Sequence, residues 1–473
     1  MAKKTEKAEK IDVKKLTEAL LVNRKNGCLQ VSDDKMKETD KYCEGYKDFL
    51  NSAKTEREVV TYAIAEAEKA GFVPFETGKK YKPGDKVYSN NRGKAILLAV
   101  IGEEGCSSGV RIAAAHIDSP RLDLKPHPLY EKDGMSLFKT HYYGGIKKYQ
   151  WTTIPLSMHG RVVLKDGTRV DITLGENEGE PQFCVTDLLP HLADDQMRKT
   201  LNKGVEGENL NIVTGSRPVR ADSGDNLVKL NVMKILNEKY GMTEEDFVSA
   251  DFEFVPAFKA VDVGFDKSMI GAYGHDDRVC AYPALTAVLE AKKPKNTIVT
   301  VLADREEIGS VGNTGLNSQF LRYFIADLAQ AEGLEARHVL SISKCLSADV
   351  TAAYDPTYSE VYEANNSCYI NGGVGVAKYT GGRGKNSTSE ASAEFVSEVR
   401  SLFEKNDVLW QIGEMGKVDI GGGGTVAMYI AGLNVDVIDI GVPVLSMHSP
   451  FELVSKLDIY MTYKGIQSFY EAK

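Results

Sequence analysis

A chain of 473 residues, 42% hydrophobic and 26% charged, has the composition of a soluble globular protein and length for two or three domains with ample core. Its 58 basic residues are outnumbered by 67 acidic ones, and the net charge of −9 with no basic stripe argues against a nucleic-acid partner. The 7 cysteines are scattered without a CxxC pair, which excludes a disulfide frame or zinc ribbon and points to a reducing compartment.

In chain order, residues 1–12 read as disordered, and the leader MAKKTEKAEKIDVKK, charged in both signs, is neither a secretory signal nor a transit peptide. No later run approaches the roughly 20 apolar residues of a membrane span, so a cytoplasmic protein without a membrane partner is expected. From about 13 to 72 the pattern is helical and amphipathic, with Leu16, Leu20 and Leu21, then Tyr42, Tyr46, Phe49 and Leu50. Thr55 with Glu58 three residues on predicts a capped helix that Gly71 stops. Residues 94–101 and 110–115 predict two strands, the second ending in His116-Ile117-Asp118. Such a pair can be a metal-binding imidazole whose other ring nitrogen is held by the carboxylate. On its own it is as readily a plain polar strand end.

Between about 121 and 265 the texture changes to short alternating runs at 160–163 and 168–174, Gly, Asp and Asn turns, and an acidic loop at 176–180. This reads as a β-rich module inserted into an α/β domain, with one helical stretch at 226–237 and strand character returning over 251–263. Tyr273-Gly274-His275-Asp276-Asp277 precedes a helix over 278–292, where the two carboxylates can also be simple capping groups. A buried strand at 297–302 then runs out in Asp304-Arg305-Glu306-Glu307. Adjacent carboxylates past the carboxyl end of a buried strand lie where open α/β sheets place ligands, although an isolated Glu-Glu pair is more often a solvated turn. Another strand is expected over 337–343, continuing to Ser347-Ala348-Asp349. There follow a segment at 372–378, a Gly/Ser/Thr loop, a helix over 390–403, and the apolar run 435–444, closed by Ser446-Met447-His448. Apolar strands alternating with helices predict an α/β fold, a mostly parallel sheet flanked by helices on both faces.

The polar ends of these elements supply His116, Asp118, Asp276, Glu306, Glu307, Asp349 and His448. These two imidazoles and five carboxylates can converge on one sheet edge. Mixed nitrogen and oxygen donors suit zinc, cobalt or manganese, and the lack of sulfur argues against a structural cysteine site. Their number points to two divalent ions, one Asp bridging both and each ion taking one His and one further carboxylate. Asp276, Glu307 and Asp349 then leave one positive charge for a bridging hydroxide. Glu306 remains as general base and later general acid.

The segments HIDSPRLDLKP, GHDDRVCAYPAL, DREEIGS, SADVTAAYDP and VLSMHSPFE resemble, in order, five metal-site motifs of the aspartyl aminopeptidase family, in its bacterial-type branch. YYGGIKKYQW and DIGGGGTVA extend the resemblance over most of the chain. It implies that His116 is the first metal's histidine, Asp118 the carboxylate orienting it, and Asp276 the bridge. Asp349 would complete the first metal, Glu307 and His448 the second, and Glu306 would be the catalytic base. The resemblance also implies two divalent ions per subunit, zinc foremost, with cobalt or manganese compatible. The fold it implies is a zinc-peptidase-like catalytic domain of residues 1–120 and 266–473, with an inserted β-rich dimerisation domain at 121–265. Such chains assemble as tetrahedral homo-dodecamers built from dimers.

Two further positions carry a resemblance and a plainer reading side by side. Lys378, in GGVGVAKYT, resembles a lysine lining the family's specificity pocket that can pair with an acidic side chain; the alternative is a surface lysine. His191, in LLPHL, resembles an inserted-domain histidine that reaches a neighbouring subunit's active site; the alternative is a structural histidine. The chain departs from the animal-type pattern after Tyr143-Gly144-Gly145, where YQWTTIPL replaces an aspartate-arginine-aspartate run, and again in GRGKNSTSEAS.

The expected function is therefore that of a metalloaminopeptidase, removing the N-terminal residue of peptides with a two-metal-activated water and favouring Asp or Glu. A neutral preference such as Leu or Met, or a dinuclear carboxypeptidase or deacylase on a similar core, is the alternative. The insert between His116 and Asp276 and the MHSPFE ending favour the aminopeptidase. Glycines 421–424 before a helix can cradle phosphate, but no GK[ST] follows, and close backbone packing explains them better. The full set of ligands and base argues against a non-catalytic scaffold.

Overall fold

Nine strands form the central sheet of the computed structural model, which describes residues 12–472. The disorder expected for residues 1–12 lies, Asp12 apart, outside the described residues. The strand order is Val73–Pro74, Lys86–Asn91, Ala95–Val100, Thr297–Ala303, Val110–His116, Lys344–Ala348, Asp436–Gly441, Val374–Ala377, Trp410–Ile412. The four middle strands, Thr297–Ala303 to Asp436–Gly441, run parallel, and antiparallel pairs flank them.

All residues of Ala95–Val100 and Thr297–Ala303 are buried, as the continuous apolar runs require of strands covered on both faces. Their side chains alternate between two cores. Ile96, Leu98, Ala113 and Ile298 pack with the helices Asp33–Ser52, Glu56–Lys69, His275–Glu290 and Lys456–Glu471. Leu97, Ala99, Ile112 and Val299 pack with Phe320–Ala331, Ala336–Ser341 and Ala427–Ala431 on the other face. Each fully buried Leu or Ile contributes roughly 1.5–3 kcal/mol. Helix Glu56–Lys69 opens with the expected capping box, Thr55 accepting from the Glu58 N–H and Glu58 from the Thr55 N–H.

Two stretches differ from the sequence reading. Residues 336–341 are helical, and the strand begins only at Lys344. A run of six residues is too short for periodicity to separate helix from strand, and packing of Val339 and Leu340 into the core beside Phe320–Ala331 decides for helix. The run 435–444 splits between two sheets, Asp436–Gly441 in the central one and Pro443–Leu445 in another. At the break, a Cβ on Gly441 would lie 1.7 Å from the Asp349 carbonyl oxygen, so only glycine fits.

A second sheet of seven antiparallel strands draws all its strands from residues 121–256, in the order Arg169–Leu174, Leu156–Val163, Ala250–Pro256, Arg121–Lys132, Met135–Tyr143, Ile212–Gly215, Cys184–Val185. Trp151, Phe138, Phe252 and Phe254 form its core. A third sheet of five strands, Val261–Val263, Met269–Ala272, Glu452–Ser455, Pro443–Leu445 and Thr351–Ala352, ties the chain leaving the second sheet to its C-terminal part. Buried ion pairs close the seam between the first two sheets. Lys54 meets Glu176 at 2.7 Å, and His159 sits between Glu58 at 2.7 Å and Glu176 at 3.1 Å. Among the described residues no helix is long and apolar enough to cross a membrane.

Candidate metal centre

Parallel strands in register bring their carboxyl ends to one edge: Ala303 lies opposite His116, and Ala348 opposite Ile440. His116 closes its strand there and Asp349 immediately follows the next. Asp304-Arg305-Glu306-Glu307 leaves the neighbouring strand through Arg305, whose φ of 68° turns the chain into the short helix Glu306–Ile308. Asp276 opens helix His275–Glu290 in a non-helical conformation, after Gly274 at φ 73°. His448, at φ 65°, lies in the turn between Pro443–Leu445 and Glu452–Ser455. Left-handed non-glycine residues are uncommon and cluster at functional sites.

The Asp276 carboxylate lies between the two imidazoles. Its Oδ1 is 3.0 Å from His116 Nε2, and its Oδ2 is 3.0 Å from His448 Nε2. Asp349 Oδ1 lies 3.8 Å from His116 Nε2, and Glu307 Oε1 lies 3.4 Å from His448 Nε2. The ligand atoms of His116, Asp276 and Asp349 are all within 4.8 Å of one another, as are those of Asp276, Glu307 and His448. Glu306 belongs to neither group, its Oε2 standing 3.9 Å from His116 Nε2.

The donors fit divalent cations. Glu307 Oε1 is buried and has no hydrogen-bond partner among the described residues, a costly state that a cation relieves. Burial, reinforced by the charge of Asp276, pushes the Glu307 carboxyl well above the usual range; burial and Asp277 do the same to Asp349. Carboxylates that repel one another when empty are those a cation stabilises. Two imidazoles with oxygen donors and no thiol match the family of metals that includes zinc.

Around the ligands runs a set of buried supports. His116 Nδ1 is 3.0 Å from the Asp118 carbonyl and 3.3 Å from its Oδ1, leaving Nε2 for the centre. The Asp118 carboxylate also accepts from the backbone N–H of Glu306 at 3.1 Å and of Glu307 at 3.2 Å, and from the Tyr143 hydroxyl at 2.8 Å. Glu452 accepts from the backbone N–H of both His448, at 2.7 Å, and Asp276, at 3.2 Å. Burial holds Glu452 up at about 8. Asp277 accepts from the His116 N–H, and Ser119 donates to the Asp276 carbonyl. His448 Nδ1 bonds the Gly145 carbonyl at 2.7 Å, which places the free nitrogen toward Asp276 and Glu307.

Burial opposes a charged His448, yet the Asp276 hydrogen bond and the Glu307 charge push it up to about 10. His116 likewise rises against its burial through Asp118 and Asp276, while hydrogen bonds from both rings hold Asp276 low despite its burial. With its pKa near 10, the His448 ring carries a proton at neutral pH when no cation is bound. A histidine whose folded pKa is raised contributes stability below its unfolded value near 6.5 that is lost as pH rises toward about 10. Metal binding displaces that proton. Zinc binding is therefore expected to release protons at pH 7 and to tighten as pH rises, which calorimetry in two buffers of different ionisation enthalpy measures.

All seven residues named from the strand ends lie in this cluster or against it; Lys378 and His191 do not. A cavity of about 170 Å³ beside Asp349 is lined by Tyr379, Arg383, Lys385, Glu414, Thr425 and Asp439 among others. Lys378 is exposed and outside that lining, because side chains alternate along extended chain and Tyr379 takes the inward position. His191 sits exposed on the turn Pro190–Leu192 of the second-sheet unit, apart from the cluster. The sequence reading gave no site role to Tyr143, Gly145, Asp277 or Glu452. Glu452 stands four residues after His448 in MHSPFE, a signal visible only once its carboxylate is known to be buried. Among the glycines of 421–424, a Cβ on Gly421 would lie 1.7 Å from the Met415 carbonyl, the close packing expected there.

The family described as Aminopeptidase I zinc metalloprotease (M18) matches residues 49–470. The chain is 48% identical over 458 residues to a probable M18 family aminopeptidase 1 of Clostridium acetobutylicum, covering 95% of this chain and 98% of that one. It is similar to the crystal structure of an M18 aminopeptidase from Thermotoga maritima with a TM-score of 0.91 at 43% identity, over 96% of this chain and 100% of that one. The S. cerevisiae mApe1 dodecamer shares the fold at 20% identity, with a TM-score of 0.75 over 92% of this chain and 97% of that one.

Proposed function

The chain belongs to the M18 family of zinc metalloaminopeptidases, and from that premise we propose that it removes the N-terminal residue of peptides at a two-ion centre with Glu306 as general base. One ion would be held by His116, Asp276 and Asp349, the other by Asp276, Glu307 and His448. The observation that carries this reading is the Asp276 carboxylate, each oxygen 3.0 Å from a different imidazole, which is the geometry of a bridging ligand. When bound, such ions supply Lewis acidity for the peptide carbonyl and acidify a water at neutral pH.

The chain's own residues supply the remaining steps. Asp118 orients His116 and holds the backbone of Glu306 and Glu307. Glu306, outside both ligand groups, takes a proton from the attacking water and gives it to the departing amine. Burial raises its carboxyl above the ordinary value. The substrate's free amine would bind near one ion, which limits cleavage to the first residue.

The cavity beside Asp349 would take the first side chain. Arg383 on its wall has no carboxylate partner among the described residues and favours Asp or Glu. The opposite charges of Glu414 and Asp439 on the same wall support the second reading, a preference for neutral residues such as Leu or Met. We take residues 121–265 as the dimerisation unit inserted into a catalytic unit of 1–120 and 266–473. Exposed Leu188, Leu189, Leu192, Met197 and Leu201 surround His191 there, an apolar surface that suits a second copy and would bring His191 to a neighbouring centre. Assembly would follow the dodecamer of the yeast relative, in the cytoplasm.

The test is hydrolysis of Asp, Glu, Leu, Met and Lys aminoacyl substrates by the purified protein, as isolated, after chelation, and after zinc, cobalt or manganese is restored. Chelator-sensitive cleavage of Asp and Glu substrates is expected. Cleavage mainly of Leu or Met substrates would keep the mechanism and select the second specificity. No cleavage with any metal would overturn the proposal.

A further inference from the structure

We propose that Tyr143 is a positioning residue of the hydrolytic centre, fixing the Asp118 carboxylate and, through it, the His116 ring and the backbone of Glu306 and Glu307. The inference rests on the assignment of His116 and Glu307 as ligands made above. Asp118 Oδ1 faces His116 Nδ1 and the Glu306 N–H, while its Oδ2 faces the Glu307 N–H at 3.2 Å and the Tyr143 hydroxyl at 2.8 Å. Three of these four partners come from the ends of central-sheet strands. Tyr143 alone comes from the second sheet, as the last residue of Met135–Tyr143. Without its hydroxyl, Oδ2 would keep a single, longer bond.

The ring is itself fixed. The Arg121 guanidinium lies 3.9 Å from the centre of the Tyr143 ring, in cation–π range. Asp123 at 2.8 Å, Glu253 at 3.3 Å and Glu56 at 3.5 Å hold Arg121 from both sides of the seam. The next two residues reach the other ligand group. A Cβ on Gly144, at φ 75°, would lie 3.0 Å from Glu307 Oε2, and the Gly145 carbonyl accepts from His448 Nδ1. One short segment of the second sheet thus touches Asp118, Glu307 and His448. Seating that sheet is part of shaping the centre, apart from any role it has in assembly.

The variants Tyr143→Phe, Asp118→Asn, their combination, and Tyr142→Phe as the exposed neighbour separate this role from general packing. Phe keeps the ring against Arg121 and removes only the hydroxyl. Each full-length protein is measured for kcat and KM on the best substrate, and for zinc affinity by competition with a chromogenic chelator. Tyr143→Phe is expected to lower kcat and zinc affinity by about 10–100-fold with KM unchanged, the usual cost of losing an outer-shell partner. Tyr142→Phe should match the parent. If Tyr143 acts through Asp118, the combined variant binds zinc no more weakly than Asp118→Asn alone. Parental kcat and affinity in Tyr143→Phe, or additive losses in the combination, would overturn the proposal. Parental affinity and turnover in Asp118→Asn would instead overturn the assignment of the centre, and this role with it.

Discussion

Replacing Glu306 with Gln is expected to lower kcat by about 10³-fold while the metal content stays that of the parent protein. The side chains have nearly the same shape, and Glu306 is outside both ligand groups, so the exchange removes proton transfer and little else. Its backbone N–H would still reach Asp118, keeping the short helix Glu306–Ile308 in place. The acid limb of the pH–rate profile, which reports the base losing its proton, should vanish with it. Kinetics and elemental analysis on one preparation check the result. An active variant would move the base elsewhere, and loss of metal would make Glu306 a ligand.

Asp276→Asn is expected to strip metal from both groups and to lower activity by at least about 10³-fold, the several kcal/mol of transition-state stabilisation that metal ions provide. His448→Gln should weaken only the group it shares with Glu307. The difference follows from geometry: Asp276 is in both groups, and His448 in one. An amide cannot offer two anionic oxygens, and it would turn a donor toward one of the imidazoles. Zinc per chain, measured after dialysis, distinguishes the two variants. If Asp276→Asn kept one tightly held ion per chain, the bridging assignment would be wrong.

His116, Asp276, Glu306, Glu307, Asp349 and His448 were legible because each stands at or just past the end of a buried element with a chemistry-bearing group. In the parallel part of the central sheet the ends carrying His116, Glu306, Glu307 and Asp349 share an edge, and the third sheet brings Asp276 and His448 to it. The likeness of GGVGVAKYT left a pocket lysine and a surface lysine both open for Lys378, because it says nothing of which side of extended chain the residue takes. The structure turns Tyr379 inward instead. Tyr143 lies 25 residues from Asp118 in the chain, and Glu452 lies 176 from Asp276. No periodicity links such pairs; only packing does.

By itself, the sequence determined the elements whose patterns are local: the capping box of Thr55 and Glu58, the fully apolar strands Ala95–Val100 and Thr297–Ala303, and the short runs 160–163 and 168–174 of the second sheet. Hydrophobic period and capping chemistry act over a few residues, so a few residues suffice to read them. Tertiary structure alone decided that 336–341 coils, that 435–444 divides between two sheets, and that Arg121 and Tyr143 reach across the seam to the centre. Those outcomes depend on which surfaces meet and which buried polar groups find partners, and such energies exist only once distant segments are packed together.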